Sequence, residues 1–145
     1  MQLRGTVNFA AKQTAVWHSL TTPNIVSQCA PRLRNWKILD TNSQFQLQFA
    51  WGSGSNIILI PLRLTWQTVT PPSLLQWQAD AKMGSTPLQF TGEFRLTSPN
   101  PQATILTFTV KMSPQNKLLQ QMIQSTTPRL IDTFFSCLKK TAETV

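Results

Sequence analysis

The sequence predicts an α+β protein: a curved seven-stranded antiparallel sheet wrapped around a long C-terminal helix, with two short helices after the first strand. Three observations carry this. Successive segments between 33 and 112 alternate apolar and polar side chains with a period of two. Short stretches rich in Gly, Ser or Pro separate several of them, as hairpins require. From Leu118 to Leu138 the apolar spacing changes to three and four, which is a helix face.

The first strand is Leu3–Phe9, where Leu3, Gly5, Val7 and Phe9 alternate with Arg4, Thr6 and Asn8. From Ala10 the period lengthens, and Ala11, Ala15, Val16-Trp17 and Leu20 suit a helix face. Thr22-Pro23 provides a cap residue and a first-turn proline, so a second short helix starts there and ends near Ala30-Pro31. Leu33–Leu39 is the next strand, with Trp36 and Ile38 on one side. In Gln44–Trp51, Phe45, Leu47, Phe49 and Trp51 alternate with Gln44, Gln46, Gln48 and Ala50, and Gly52-Ser53-Gly54-Ser55-Asn56 reads as a hairpin turn. The long strand Ile57–Val69 puts Ile58, Ile60, Leu62, Leu64 and Trp66 on one face. Pro61 has no N–H to donate, which predicts an edge strand or a bulge at that point.

Pro71-Pro72 turns the chain into Leu75, Trp77, Ala79 and Ala81, which alternate with Gln76, Gln78 and Asp80. Leu88, Phe90, Gly92, Phe94 and Leu96 then alternate with Gln89, Thr91, Glu93 and Arg95. Ala103–Met112 closes the series, with Leu106, Phe108, Val110 and Met112 opposite Ile105, Thr107, Thr109 and Lys111. Ser113-Pro114 is a helix start signal of the same kind as Thr22-Pro23. The amphipathic helix that follows runs for up to about 28 residues. Pro128 falls inside it and removes a hydrogen bond while clashing one turn back, at Gln124. The helix either kinks there or restarts with Thr127 as its cap.

With 145 residues and no repeat or linker, the chain is expected to form one domain, 1–145. Hydrophobic residues make up 41% and charged residues 12%, against about a quarter charged in an average soluble domain. Five Trp and eight Phe add to this and exclude a disordered, self-repelling chain. No apolar run approaches the roughly 20 residues that span a bilayer. The N-terminus lacks a basic start followed by an apolar stretch, so no export signal is expected and cytoplasmic residence is the default. On that basis Cys29 and Cys137, which are able to pair, are expected to be two reduced, half-buried thiols.

Thirteen Lys and Arg against five Asp and Glu give a formal charge of +8. That favours an anionic partner: nucleic acid, an anionic membrane surface or an acidic protein. The basic residues are scattered, which suits solubility better than a binding site. Arg4, Lys37, Arg63, Arg95 and Lys111 fall on the polar side of their strands, making one sheet face mildly basic. Nucleic acid is disfavoured, because the aromatics fall on the opposite face.

A curved sheet gripping one helix leaves space between them, since a cylinder does not fill a wide concave surface. The sheet-facing aromatics exceed what one helix covers, so a ligand-sized apolar cavity is expected. Its wall is predicted to include Phe49, Trp51, Leu64, Trp66, Trp77, Phe90, Phe94, Phe108, Met122 and Phe134. Met83, Met112 and Met122 are expected to supply an adaptable rim.

This order of elements resembles the helix-grip fold of the START-related (SRPBCC) lipid-transfer and polyketide cyclase superfamily, over essentially the whole chain. The N-terminal third is most similar to proteins like the G subunit of carbon monoxide dehydrogenase, through Gly5, Phe9, Ala11, Val16-Trp17, Leu20, Thr22-Pro23 and Cys29-Ala30-Pro31. Thr22 stands where that pattern usually has Asp, and Arg32 where it usually has Gly. The resemblance implies binding of a hydrophobic molecule, and in some relatives its cyclisation or dehydration.

Chemistry-bearing residues are sparse. Asp40, Asp80, Glu93, Asp132 and Glu143 are dispersed, and the one histidine, His18, stands alone on the first helix. Neither cysteine has a base beside it in sequence, and one His with two distant Cys makes a poor metal set. No catalytic residue, metal or cofactor is therefore expected. The preferred function is non-catalytic binding or carriage of a lipid, quinone or polyketide-like compound. The alternatives are a cyclase or dehydratase, which would need His18, Asp80 or Arg95 in the cavity, and a membrane-peripheral accessory protein using the basic face.

Overall fold

In a computed structural model of the chain, the described residues are 2–40, 43–52, 54–83, 85–113 and 117–144, with side chains at all of these except 83, 118–120 and 122–124. The first strand, β1 (Gln2–Phe9), leads into two short helices, α1 (Gln13–Thr21) and α2 (Pro23–Cys29). Six strands follow: β2 (Leu33–Asp40), β3 (Gln44–Trp51), β4 (Ile58–Thr70), β5 (Leu74–Met83), β6 (Thr86–Asn100) and β7 (Ala103–Ser113). The last helix is α3 (Lys117–Glu143), roughly 40 Å long at 1.5 Å per residue. None of the described helices is long and apolar enough to cross a membrane.

The sheet is antiparallel throughout, in the order β1-β7-β6-β5-β4-β3-β2. Strands β1 and β2 are therefore its two edges, and the α1–α2 segment between them must cross the whole sheet. It does so over the apolar face, where α1 packs on β6, β7 and α3, and α2 packs on α3 and β2. Register shifts in β2 at Arg34/Lys37 and in β4 at Trp66/Thr68 bend the strands, as bulges do. At the first of these Asn35 has φ 58°, a left-handed conformation that Asn tolerates better than most residues.

One end of this layer is filled. Phe9, Val16, Leu20, Leu96, Leu106, Phe135 and Leu138 form a contiguous buried cluster from β1, α1, β6, β7 and α3. The Phe108 ring lies over Gly5, where any Cβ would overlap it. The Thr104 hydroxyl donates to the Ala11 carbonyl at 2.8 Å and ties β7 to the β1–α1 turn.

Several expectations need correction. Cys29 and Cys137 are joined by a disulfide, with Cα atoms 5.3 Å apart, rather than being free thiols. The α2–α3 packing brings together two residues that are 108 positions apart. Strand β4 is interior, and its bulge is at Trp66/Thr68 rather than at Pro61. The Trp66 N–H donates towards β3, to the Ser43 carbonyl. By alternation the donorless nitrogen of Pro61 faces β5 at the very end of the β4–β5 ladder, which starts at Leu62↔Ala81, so at most a terminal bond is missing. Helix α1 begins at Gln13 rather than Ala10. Thr22 makes no cap bond to α2, because its hydroxyl donates back to the His18 carbonyl at 2.6 Å. Helix α3 runs through Pro128 as one element, so it does not restart at Thr127. Ser113 ends β7, and Pro114, the rest of the expected helix start, lies outside the described residues.

Candidate functional site

Beyond the packed end, the inner face of β3–β6 stands clear of the helices and encloses a cavity of about 540 Å³. That is within the roughly 300–1,000 Å³ typical of small-molecule pockets. Its depth comes from side-chain size. Ala79 and Ala81 are short inward positions on β5, paired across the sheet with Leu64 and Phe90, and with Leu62 and Leu88. Taller residues stand around them as walls.

Nine of the ten predicted wall residues line this cavity: Phe49, Trp51, Leu64, Trp66, Trp77, Phe90, Phe94, Phe108 and Phe134. The side chain of Met122 lies outside the described residues, as does that of Met83. Met112 is buried in the core rather than on a rim. Trp36 also lines the cavity, while Ile38 on the same edge strand stays 55% exposed. Ile58 was expected on the inner face but is 63% exposed at the β3–β4 tip, beyond the reach of any helix. Ring contacts brace the wall: Phe45 meets Trp66 edge-on at 5.0 Å, and Phe94 and Phe108 both contact Phe135 of α3.

Trp77 lies over Gly92, the residue opposite it on β6, where a Cβ would collide with the indole. Its buried N–H has no hydrogen-bond partner among the described residues. An unpaired buried donor costs about 1–3 kcal/mol.

Three of the lining residues are solvent-exposed: Pro31, Arg129 and Thr133. They mark the mouth, between the α2–β2 turn and the middle of α3. Arg32 shares that turn. One of its terminal nitrogens donates to the Ala50 carbonyl at 3.1 Å and to the Gly52 carbonyl at 2.6 Å, which fastens the turn to the end of β3. Gly52 has φ 103°, and a side chain there would strike the Asn56 carbonyl, so the turn needs glycine.

Among the described residues, no Asp, Glu, His or Lys lines the cavity. His18 is exposed on α1. Asp80 is on the outer face, accepting from Gln78 and Gln89. Arg95 is there too, donating to Glu93 at 2.6 Å. That bond, then one from Gln76, holds the Glu93 carboxyl below its ordinary value of 4.5. No cluster of three or more His, Cys, Asp or Glu suited to a metal occurs among the described residues.

Sequence reasoning missed the polar part of the lining: Arg32, Thr126, Thr127, Arg129 and Thr133. A signal was present on α3, where 126, 129 and 133 recur at helical spacing beside the apolar stripe. Which stripe meets the cavity depends on how the helix is rotated, and its own sequence does not show that.

Searches of protein-family models and of curated proteins found no match. Solved structures do match. A conserved protein from Geobacillus kaustophilus superposes with a TM-score of 0.83 at 20% identity, covering 97% of this chain and 93% of that one. A START superfamily protein from Mycobacterium smegmatis gives 0.73 at 14% identity, covering 99% and 97%. The chain has the helix-grip fold. The Zhui aromatase/cyclase from a Streptomyces species shares it, with a TM-score of 0.70 at 15% identity, covering 99% and 93%. In this chain the sheet and α3 leave an apolar-lined space between them.

Proposed function

We propose that this chain is a non-catalytic binding or carrier protein for a hydrophobic small molecule, such as a lipid, quinone or polyketide-like compound. The guest lies between the sheet and α3, and residues 1–145 act as one binding domain. The observation that carries this is the cavity of about 540 Å³, walled by aromatic and aliphatic side chains. Phe49, Trp51, Leu64, Trp66, Trp77, Phe90, Phe94, Phe108 and Phe134 would form the contact surface. Likeness to a START superfamily protein supports the same reading.

A cyclase or dehydratase is the alternative, favoured by the likeness to the Zhui aromatase/cyclase. It is the weaker one, because the described lining has no His, Asp or Glu to move a proton. Docking of the basic outer face on an anionic membrane or an acidic protein is weaker still: Arg95 is engaged by Glu93, and Asp80 sits among the glutamines. The finer likeness to proteins like the G subunit of carbon monoxide dehydrogenase rests on sequence alone, through Gly5, Phe9, Ala11, Val16-Trp17, Leu20, Thr22-Pro23 and Cys29-Ala30-Pro31. The Cys29–Cys137 disulfide favours an oxidising compartment over the cytoplasm expected from the sequence.

Titration with the neutral fluorescent probe N-phenyl-1-naphthylamine tests binding, with extraction and mass spectrometry of compounds that co-purify. One saturable site, quenching the wall tryptophans, is expected. Absence of both probe binding and any retained compound would overturn the proposal.

A further inference from the structure

The charge at the mouth narrows the class of guest. Of all the described residues around the cavity, only Arg32 and Arg129 carry charge. The lining is therefore formally +2 with no acidic counterpart. The two come from different elements, the α2–β2 turn and α3, and each sits beside an exposed lining residue, Pro31 or Thr133 one turn along.

Neither arginine is neutralised. Arg129 has no hydrogen-bond or ion-pair partner among the described residues, and Asp132, one turn along α3, does not pair with it. Arg32 spends one terminal nitrogen on the Ala50 and Gly52 carbonyls. Those bonds hold the guanidinium in place, while its three remaining N–H donors have no partner among the described residues. A cation fixed by backbone carbonyls at the rim of an apolar space is pre-organised for an oxyanion, and charge-assisted bonds of that kind are among the stronger ones.

We propose that the cavity takes an amphiphile with an anionic head, its tail in the hollow and its carboxylate or phosphate at the mouth, held by Arg32 and Arg129. The cavity of about 540 Å³ equals on the order of 18 water molecules at roughly 30 Å³ each, room for a medium-length alkyl tail. The assignment rests on the binding reading above, and the test separates the two.

The experiment compares four guests with one tail, below their micellar concentrations: decanoate, monodecyl phosphate, decan-1-ol and decyltrimethylammonium. Binding is followed by the fluorescence of Trp51, Trp66 and Trp77. At least one of the two anions is expected to bind about tenfold more tightly than the alcohol, and the cation more weakly than the alcohol. Which anion leads distinguishes a carboxylate head from a phosphate head. Arg129→Gln, on an exposed helix position, is expected to remove most of that preference, bringing the anions down towards decan-1-ol. Arg32→Lys keeps the charge but loses the fork, and is expected to weaken the anions by a smaller factor. Raising salt should narrow the gap between anion and alcohol. Equal binding of all four guests, or an anion preference untouched by Arg129→Gln, overturns the proposal and leaves the carrier function standing. Failure of all four to bind overturns both.

Discussion

Along β6 the same sheet face passes from filled to hollow. Leu96 is buried in the cluster with Val16, Leu20 and Leu138, whereas Leu88 and Phe90, three to four alternations away, line the cavity. Helix α3 shows the same division. Leu138 and Ala142 belong to the packed end, Leu130 to the hollow, and Phe134 and Phe135 touch both. The residue types do not differ in kind. What differs is cover: α1 and the last turns of α3 pack into one cluster with β6 and β7, while opposite β3–β5 the described helical lining comes from α2 and residues 126–135 of α3. The void thus follows from how the layers cover one another, and the short side chains of Ala79 and Ala81 deepen it.

Substitutions at matched positions in the two ends would break or sharpen this contrast. The largest effect is expected for Leu138→Ala, since Leu138 is 0% exposed and amid close-packed neighbours. A loss of about 2–5 kcal/mol in urea unfolding is the expected range. A loss under about 1 kcal/mol would show that the packed end is loose as well. Overfilling should separate the ends more sharply. Ala142→Leu, in the cluster, should cost about 1–3 kcal/mol. Ala79→Leu, facing the cavity, should change stability by less than about 0.5 kcal/mol while weakening N-phenyl-1-naphthylamine binding several-fold. Equal costs at the two sites would mean that the hollow is not there.

The smallest effect concerns the outer face, where neither end is special. Glu93 has its pKa lowered, chiefly by the hydrogen bond from Arg95. Its contribution to stability is therefore complete above the ordinary carboxylate value of 4.5 and is lost as pH falls through the lowered pKa. Glu93→Gln should unfold slightly more easily than the parent at pH 7. It should match the parent once the solution is acid enough to protonate Glu93. Arg95 is 60% exposed, so high salt should shrink the difference. A gap that persists in acid would mean that the contact acts through packing rather than charge.

The strands were legible because alternation is local. Phe45, Leu47 and Phe49 betray a half-buried strand whatever lies above it, and their inward side follows from the pleat. The wall of the cavity was readable for the same reason. Pro61 was misread because its cost depends on where along the ladder with the neighbouring strand it falls, a question of register. The cysteines were misread because pairing across 108 residues is decided by how α2 meets α3. Gly5 and Gly92 showed only as gaps in an apolar pattern, although each seats an aromatic ring from the next strand.

The amino-acid order alone settled that seven alternating strands and one long amphipathic helix would form, and that one side of the sheet would be aromatic. Both are consequences of interactions between near neighbours along the chain. Only the assembled layers decided that this side would be filled at one end and hollow at the other. They also placed Arg32 and Arg129 at the opening and brought Cys29 against Cys137. These outcomes depend on distances between distant segments, which helix rotation and strand register set and no local pattern encodes.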